Sequence, residues 1–180
     1  MMISHFASNW HRHAVFAAVF LLSGCGSSFT DSGQSLGTFD SRSVALGDVD
    51  GDTDLDIVVA NGNDGNRVYL NDGSGDFSDS GLSLGSYDSR DVVLGDLDKD
   101  GALDMVVANQ NQGNRVYMND GSGKFEDDGQ SLGLDSSQSV ILGDLNSDGI
   151  LSMVVANAGQ ANRVYNYERE KFDLFKNSNP

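Results

Sequence analysis

The stretch Asp48-Val-Asp50-Gly-Asp52-Thr-Asp54-Leu-Asp56 places carboxylates at alternate positions and runs straight into the apolar segment Ile57-Val58-Val59-Ala60. It returns as Asp96-Leu-Asp98-Lys-Asp100-Gly-Ala-Leu-Asp104 and again as Asp144-Leu-Asn146-Ser-Asp148-Gly-Ile-Leu-Ser152, each copy 48 residues after the last. A fixed period of this length constrains the fold more than any other feature. Each repeat has to be one supersecondary unit that buries its apolar face against a neighbour.

The spacing within the loop carries chemistry. A hard dication takes about six to eight oxygens at about 2.3 to 2.6 Å, and a tight loop with acids at positions 1, 3, 5 and 9 turns them inward. The loops therefore read as calcium sites feeding β-strands. Residue 7 would add its backbone carbonyl, which selects Asp54, Ala102 and Ile150. An EF-hand is excluded, because its bidentate Glu at position 12 falls on Val59, Val107 and Val155, and no helical pattern flanks the loops. Asp and Gly also make good turns without any ion. Three loops with oxygen side chains in register favour the cation reading.

Charge points the same way. The chain of 180 residues has 27 acids against 11 Lys and Arg, a net charge of −16. Such a surface repels nucleic acid and attracts divalent cations. All three histidines (His5, His11, His13) and the one Trp lie near the N-terminus, and the one Cys is Cys25. Beyond Cys25 there is no imidazole and no thiol. This removes Ser-His-Asp and Cys-His nucleophiles, His/Cys zinc sites and disulfides from the remaining chain.

The N-terminal segment has Arg12 followed by an apolar run, residues 14–22, shorter than the ~20 residues of a membrane-spanning helix. It reads as a signal segment, residues 1–24. The closing tetrad Leu22-Ser-Gly-Cys25 resembles the lipobox of bacterial lipoproteins, which implies lipidation of Cys25 as the mature N-terminus. By the same resemblance, Gly26 after the Cys implies the outer membrane, and residues 25–28 form a short tether to a lipid anchor.

From Phe29 the chain divides at Phe29, Phe77 and Phe125 into three units, residues 29–76, 77–124 and about 125–175, each of four short strands. A four-stranded period of about 40 to 50 residues has the size of a β-propeller blade. The Gly-Asp-Val-Asp-Gly-Asp and Asn-Arg-Val-Tyr-Leu-Asn-Asp-Gly-Ser-Gly-Asp-Phe segments resemble the FG-GAP/VCBS repeat family of integrin α-subunit propellers and many bacterial surface proteins. The resemblance covers about residues 29–172 and implies calcium bound by the Asp-rich loop. Carried over by position, the ligands are Asp48, Asp50, Asp52 and Asp56, then Asp96, Asp98, Asp100 and Asp104, then Asp144, Asn146 and Asp148. Two departures matter: Thr53 replaces the usual Gly at loop position 6, and Ser152 replaces the last carboxylate of the third loop.

Arg67, Arg115 and Arg163 also recur and are expected to pair with acids, while Tyr69, Tyr117 and Tyr165 are expected to pack within blades. Asp72 and Asp120 are assigned to hairpin turns. The expected fold is all-β, with three four-stranded propeller-type blades, too few to close a ring of about four to eight blades unaided. Open blade faces at both ends lead to an expectation of self-association. The functional reading is a surface-anchored, calcium-binding module for a protein or glycan ligand. A mainly structural envelope protein and a carboxylate-based hydrolase or lyase stay open as alternatives, since paired acids can cleave glycosides without His.

Overall fold

The computed structural model describes residues 28–167, so the signal segment, Cys25 and the chain after Tyr167 lie outside the described residues. The chain divides into two compact units, residues 1–32 and 33–180. Of the first, only residues 28–32 are described, and they form neither helix nor strand.

The second unit is an all-β series of antiparallel meanders. The first sheet is β1 (Ser41–Gly47), β2 (Asp56–Asn61), β3 (Arg67–Asn71) and β4 (Phe77–Asp79), hydrogen-bonded in chain order. The second repeats it with β5 (Ser89–Gly95), β6 (Asp104–Asn109), β7 (Arg115–Asn119) and β8 (Phe125–Asp127). The third has β9 (Ser137–Gly143), β10 (Ser152–Asn157) and β11 (Arg163–Asn166). The all-β, blade-like architecture is as the period implied. Relative to the sequence units, each sheet is displaced by one strand, because Phe77 and Phe125 open the last strand of one sheet.

The third sheet has three strands among the described residues, and the stretch corresponding to β4 and β8 lies after Tyr167, outside them. In the first two blades the hairpin after β3 and β7 uses Gly73 (φ 81°), Gly75 (φ 88°), Gly121 (φ 80°) and Gly123 (φ 75°) in left-handed conformations. The third blade has Tyr-Glu-Arg-Glu-Lys after Asn166, a sequence without glycine.

The second strand of the first two sheets is covered on both faces, which is why its sequence is a continuous apolar run rather than an alternating one. One core cluster joins Val49, Val58, Ala60 and Val68 of the first blade to Val92, Met105 and Val107 of the second. Another joins Leu97, Val106, Ala108 and Val116 to Val140, Met153 and Val155 of the third. Strands β1, β5 and β9 lie side by side. Each contains a register shift near its start, between Ser41 and Ser43, between Ser89 and Asp91, and opposite Ala156 and Asn157. Just past this bulge Asp91 accepts hydrogen bonds from Ser43 Oγ (2.6 Å) in the first blade and from Ser139 Oγ (2.7 Å) and Val140 N (2.9 Å) in the third. One carboxylate thus ties three sheets together.

Candidate metal centre

Each Asp-rich loop connects the first strand of a blade to the second, and its first carboxylate folds it. Asp48 Oδ1 accepts from Gly51 N (2.7 Å) and Oδ2 from Thr53 N (2.9 Å). Asp96 does the same with Lys99 N (2.7 Å) and Gly101 N (3.2 Å), and Asp144 Oδ2 accepts from Gly149 N (2.8 Å). Closing so tight a loop forces two residues into the left-handed region. Position 6 is Thr53 (φ 80°), Gly101 (φ 95°) or Gly149 (φ 79°), so the Thr occupies a conformation that β-branched residues strongly disfavour. Position 4 is Gly51, Lys99 (φ 65°) or Ser147 (φ 61°).

The last carboxylate of the loop is buried. Asp56 opens β2 with no exposed surface and accepts from Val49 N through Oδ2 and Asn71 N through Oδ1, both at 2.9 Å. Asp104 repeats this with Leu97 N and Asn119 N, again at 2.9 Å. These two acids lock loop, second strand and third strand to one another. Their remaining lone pairs face the loop interior. There Asp48, Asp50 and Asp56 bring one oxygen each within 4.8 Å of one another, and Asp96, Asp98 and Asp104 do the same. Each triad can hold a metal ion.

Asp52 and Asp100 stand outside these triads. Asp52 Oδ1 accepts from Asp54 N (2.9 Å) and Asp100 Oδ1 from Ala102 N (2.8 Å). The side chain of Asp54 lies against Gly73 in the β3–β4 turn, so a role of that residue in the loop falls to its backbone. The third loop is arranged differently. Asn146 Nδ2 donates to Asp148 Oδ2 (2.8 Å), Asp148 Oδ1 accepts from Ile150 N (2.7 Å), and Ser152 Oγ turns to Asn166 Oδ1 (3.3 Å). With two acids and an amide donor inside it, this loop satisfies its own carboxylates and cannot gather three.

Burial holds the Asp50 carboxyl above the usual range, with the neighbouring charges of Asp56, Asp52 and Asp48 adding to it against the Asp52 N–H. Burial likewise raises Asp104, opposed by the N–H groups of Asn119 and Leu97. A cation within the triad is the countercharge that reverses both effects.

Two features of the site are not apparent from the loop motif. Asn119, at the end of β7, donates from Nδ2 to Val49 O in the first loop (2.8 Å) and to Leu103 O in its own (3.1 Å), so the second blade's hairpin props the first blade's loop. Asp120 follows it in that hairpin. Its Oδ1 accepts from Ser122 N (3.0 Å) and Ser122 Oγ (2.6 Å), which is the turn role expected of it. It also lines an open cleft of about 260 Å³ with Asp48 and Asp100, between the first and second loops. The spacing of Asp72 and Asp120 at the repeat period was the available signal.

The arginines keep away from the metal loops. Arg67 stacks on Phe39 (4.5 Å to the ring centroid) and Arg115 on Tyr87 (4.7 Å). Arg163 pairs with Asp135 (3.0 Å), which occupies the same repeat position as those rings. Charge pairing was expected at all three: Arg115 also pairs with Asp127 Oδ2 (3.9 Å), whereas Arg67 caps the Phe39 ring and donates to Leu82 O (3.1 Å). Tyr69 and Tyr117 are buried in blade packing, as expected.

No curated protein matches the chain. A family model described as an FG-GAP-like repeat matches residues 48–107 and 96–155, together more than half of the chain. Both matches begin on the first carboxylate of a triad-bearing loop. On repeat period, sheet architecture and these tandem matches together, the chain belongs to the FG-GAP-like repeat family.

Proposed function

We propose that this chain is a calcium-loaded repeat module, held at the bacterial outer membrane by a lipid on Cys25, that presents its blades to a protein or glycan ligand. The observation that carries the reading is the pair of triads, Asp48/Asp50/Asp56 and Asp96/Asp98/Asp104, at corresponding places in two family-matched repeats. Oxygens within 4.8 Å of one another are what opposite ligands span around an ion bonded at about 2.4 Å, and an all-carboxylate donor set suits a hard cation. Calcium is favoured over magnesium because an irregular all-oxygen loop suits its flexible coordination better than the strict octahedron that magnesium demands.

Asp52, Asp54 and their counterparts Asp100 and Ala102 complete the proposed shell, and the loop of Asp144, Asn146, Asp148 and Ile150 is the weak third member. The ion's part is to neutralise crowded carboxylates and fix each loop. The repeat family is typically non-catalytic, and the acids here recur at the repeat period, which favours binding over hydrolysis. Open interblade surfaces that include Asp120 offer polar contacts to a partner.

Two measurements test the proposal. Titration calorimetry of the full chain should resolve two calcium sites, each weakened more than tenfold in Asp50→Asn or Asp98→Asn, with magnesium binding more weakly. Absence of calcium heat would remove the metal reading. Membrane fractionation of Cys25→Ser in the bacterial host should move the protein to the soluble fraction, and unchanged fractionation would remove the lipid anchor.

A further inference from the structure

The repeats provide an internal comparison of what each blade face normally touches. The face of the second blade that carries Val92 and Leu94 packs on the first blade, and Val140 and Leu142 of the third blade pack on the second in the same way. The matching positions of the first blade, Val44 and Leu46, are not covered by a blade among the described residues: Val44 is 64% exposed, whereas Val92 and Val140 are 5% and 3%. Leu55, just before β2, is also exposed.

The opposite face shows the converse. Val68 and Val116 are buried against the following blade at 0% and 5%, but Val164 of the third blade is 60% exposed. Ile141 and Leu145 are exposed with it, although their counterparts Val49 and Leu97 are buried and Ala45 and Val93 are packed into the two cores.

We propose that a second copy of this chain covers these surfaces head to tail, with Ile141, Leu145 and Val164 of one copy seated on Val44, Leu46 and Leu55 of the other. The argument is that the structure already builds this junction twice, between β1 and β5 and between β5 and β9, from the same repeat positions. The two uncovered faces are the two halves of a third such junction. The residues at the inner edge are compatible with it. Asp91 occupies that edge in the middle blade, and the positions brought opposite each other in the new junction are Ser43 and Ser139, so no carboxylate meets a carboxylate. A head-to-tail contact of this kind is heterologous, and it closes only if the rotation between copies brings the free ends together. Two copies closed in this way place six sheets about one axis, within the range of about four to eight blades found in closed propellers. The inference requires no ion and does not depend on the ligand.

Sedimentation of the full chain in a non-denaturing detergent, at moderate ionic strength to screen the net charge of −16, tests it. The wild type should have twice the monomer mass, or a larger multiple if the ends do not close. Leu46→Asp and Ile141→Asp, each altering one exposed face, should each be monomeric. Mixed together they should give a one-to-one heterodimer, because each supplies the face that the other lacks. Should Leu46→Asp melt early, Val44→Asp reports on the same face. A monomeric wild type overturns the proposal, including one in which Ile141 and Val164 are protected from hydrogen exchange by the chain's own last residues. Association of either variant alone overturns it by showing like-on-like contact. A mixture that stays monomeric while both variants keep the wild-type circular dichroism overturns it as well.

Discussion

Asp50 and Asp56 share a triad, yet their hydrogen bonds give them different duties. Asp56 is buried and both its oxygens accept backbone N–H groups, while Asp50 accepts one bond, from Asp52 N at 3.3 Å. An amide at position 56 presents its NH2 to one of those two donors and leaves it unsatisfied. Asp56→Asn should therefore cost about 1 to 3 kcal/mol with or without calcium. Asp50→Asn should melt within about 0.5 kcal/mol of wild type in chelator, yet lose most of the calcium-induced gain. Urea melts of both variants in calcium and in chelator separate the two roles, and equal losses in chelator would contradict this division. Thr53 illustrates strain at a single residue. Held at φ 80°, it should be improved by Thr53→Gly, which relieves about 1 to 3 kcal/mol of backbone strain against a loss of under about 1 kcal/mol to unfolded-state entropy. Thermal melts in chelator should show a higher midpoint; a lower one would mean that the Thr side chain contributes contacts outweighing its backbone. The Thr53 strain was legible because the other two loops have Gly there. The left-handed Lys99 and Ser147 were not, since neither residue type advertises that conformation and no Gly aligns with them outside the first loop.

The strands were the most legible elements. The runs at residues 57–60 and 105–108 had to be covered on both faces, and β4 and β8, only three residues each, were marked by a Phe after a Gly-rich turn. Strand starts were less legible. β1 begins at Ser41, two residues before the alternating pattern, because a bulge interrupts the alternation between Ser41 and Ser43. The same bulge hides the role of Asp91, which sequence reasoning passed over: it falls outside the metal loop, and its counterparts Ser43 and Ser139 look like ordinary surface residues. Only the packing of three sheets shows that their hydroxyls converge on one carboxylate. Asp91→Ala removes the acceptor for Ser43 Oγ, Ser139 Oγ and Val140 N at once. The expected cost is about 2 to 3 kcal/mol, above that of one ordinary hydrogen bond, because charge-assisted bonds are lost and a backbone donor is stranded. In a repeat array stability is held partly in the interfaces, so weakening two of them should also loosen cooperativity. Urea unfolding should then show a lower midpoint together with a shallower slope; an unchanged slope would place Asp91 within its own blade only.

At the scale of the whole molecule, the acidic excess opposes folding unless something neutralises it, and that excess can be counted directly from the amino-acid sequence. How unevenly the loops are supported is a matter of packing between blades and has no such signature. The first is propped by Asn119 from the next blade, the second is closed by Gly101, and the third, with Asn146 and Ser152, holds itself together without an ion. Calcium that binds only the folded loops stabilises the chain by RT ln(1 + [L]/Kd) for each occupied site, about 2.7 kcal/mol at a hundredfold excess over Kd. Two triads therefore predict roughly twice that, with little from the third loop. The test compares Asp98→Ala, in the second triad, with Asp148→Ala, in the third loop. In calcium, Asp98→Ala should lower the melting temperature further, since it removes a ligand as well as the weak 3.2 Å bond to Asp100 N. In chelator most of that difference should vanish. Asp148→Ala should instead cost a similar amount in both buffers, because its partners are the Ile150 N–H and the Asn146 amide rather than a cation. A wild-type melting temperature that does not respond to chelator would reduce all three loops to turns. The burial that raises Asp50 and Asp104, with neighbouring carboxylates adding to it, would then have to be relieved by protonation, which melting at mildly acid pH would reveal as a gain in stability.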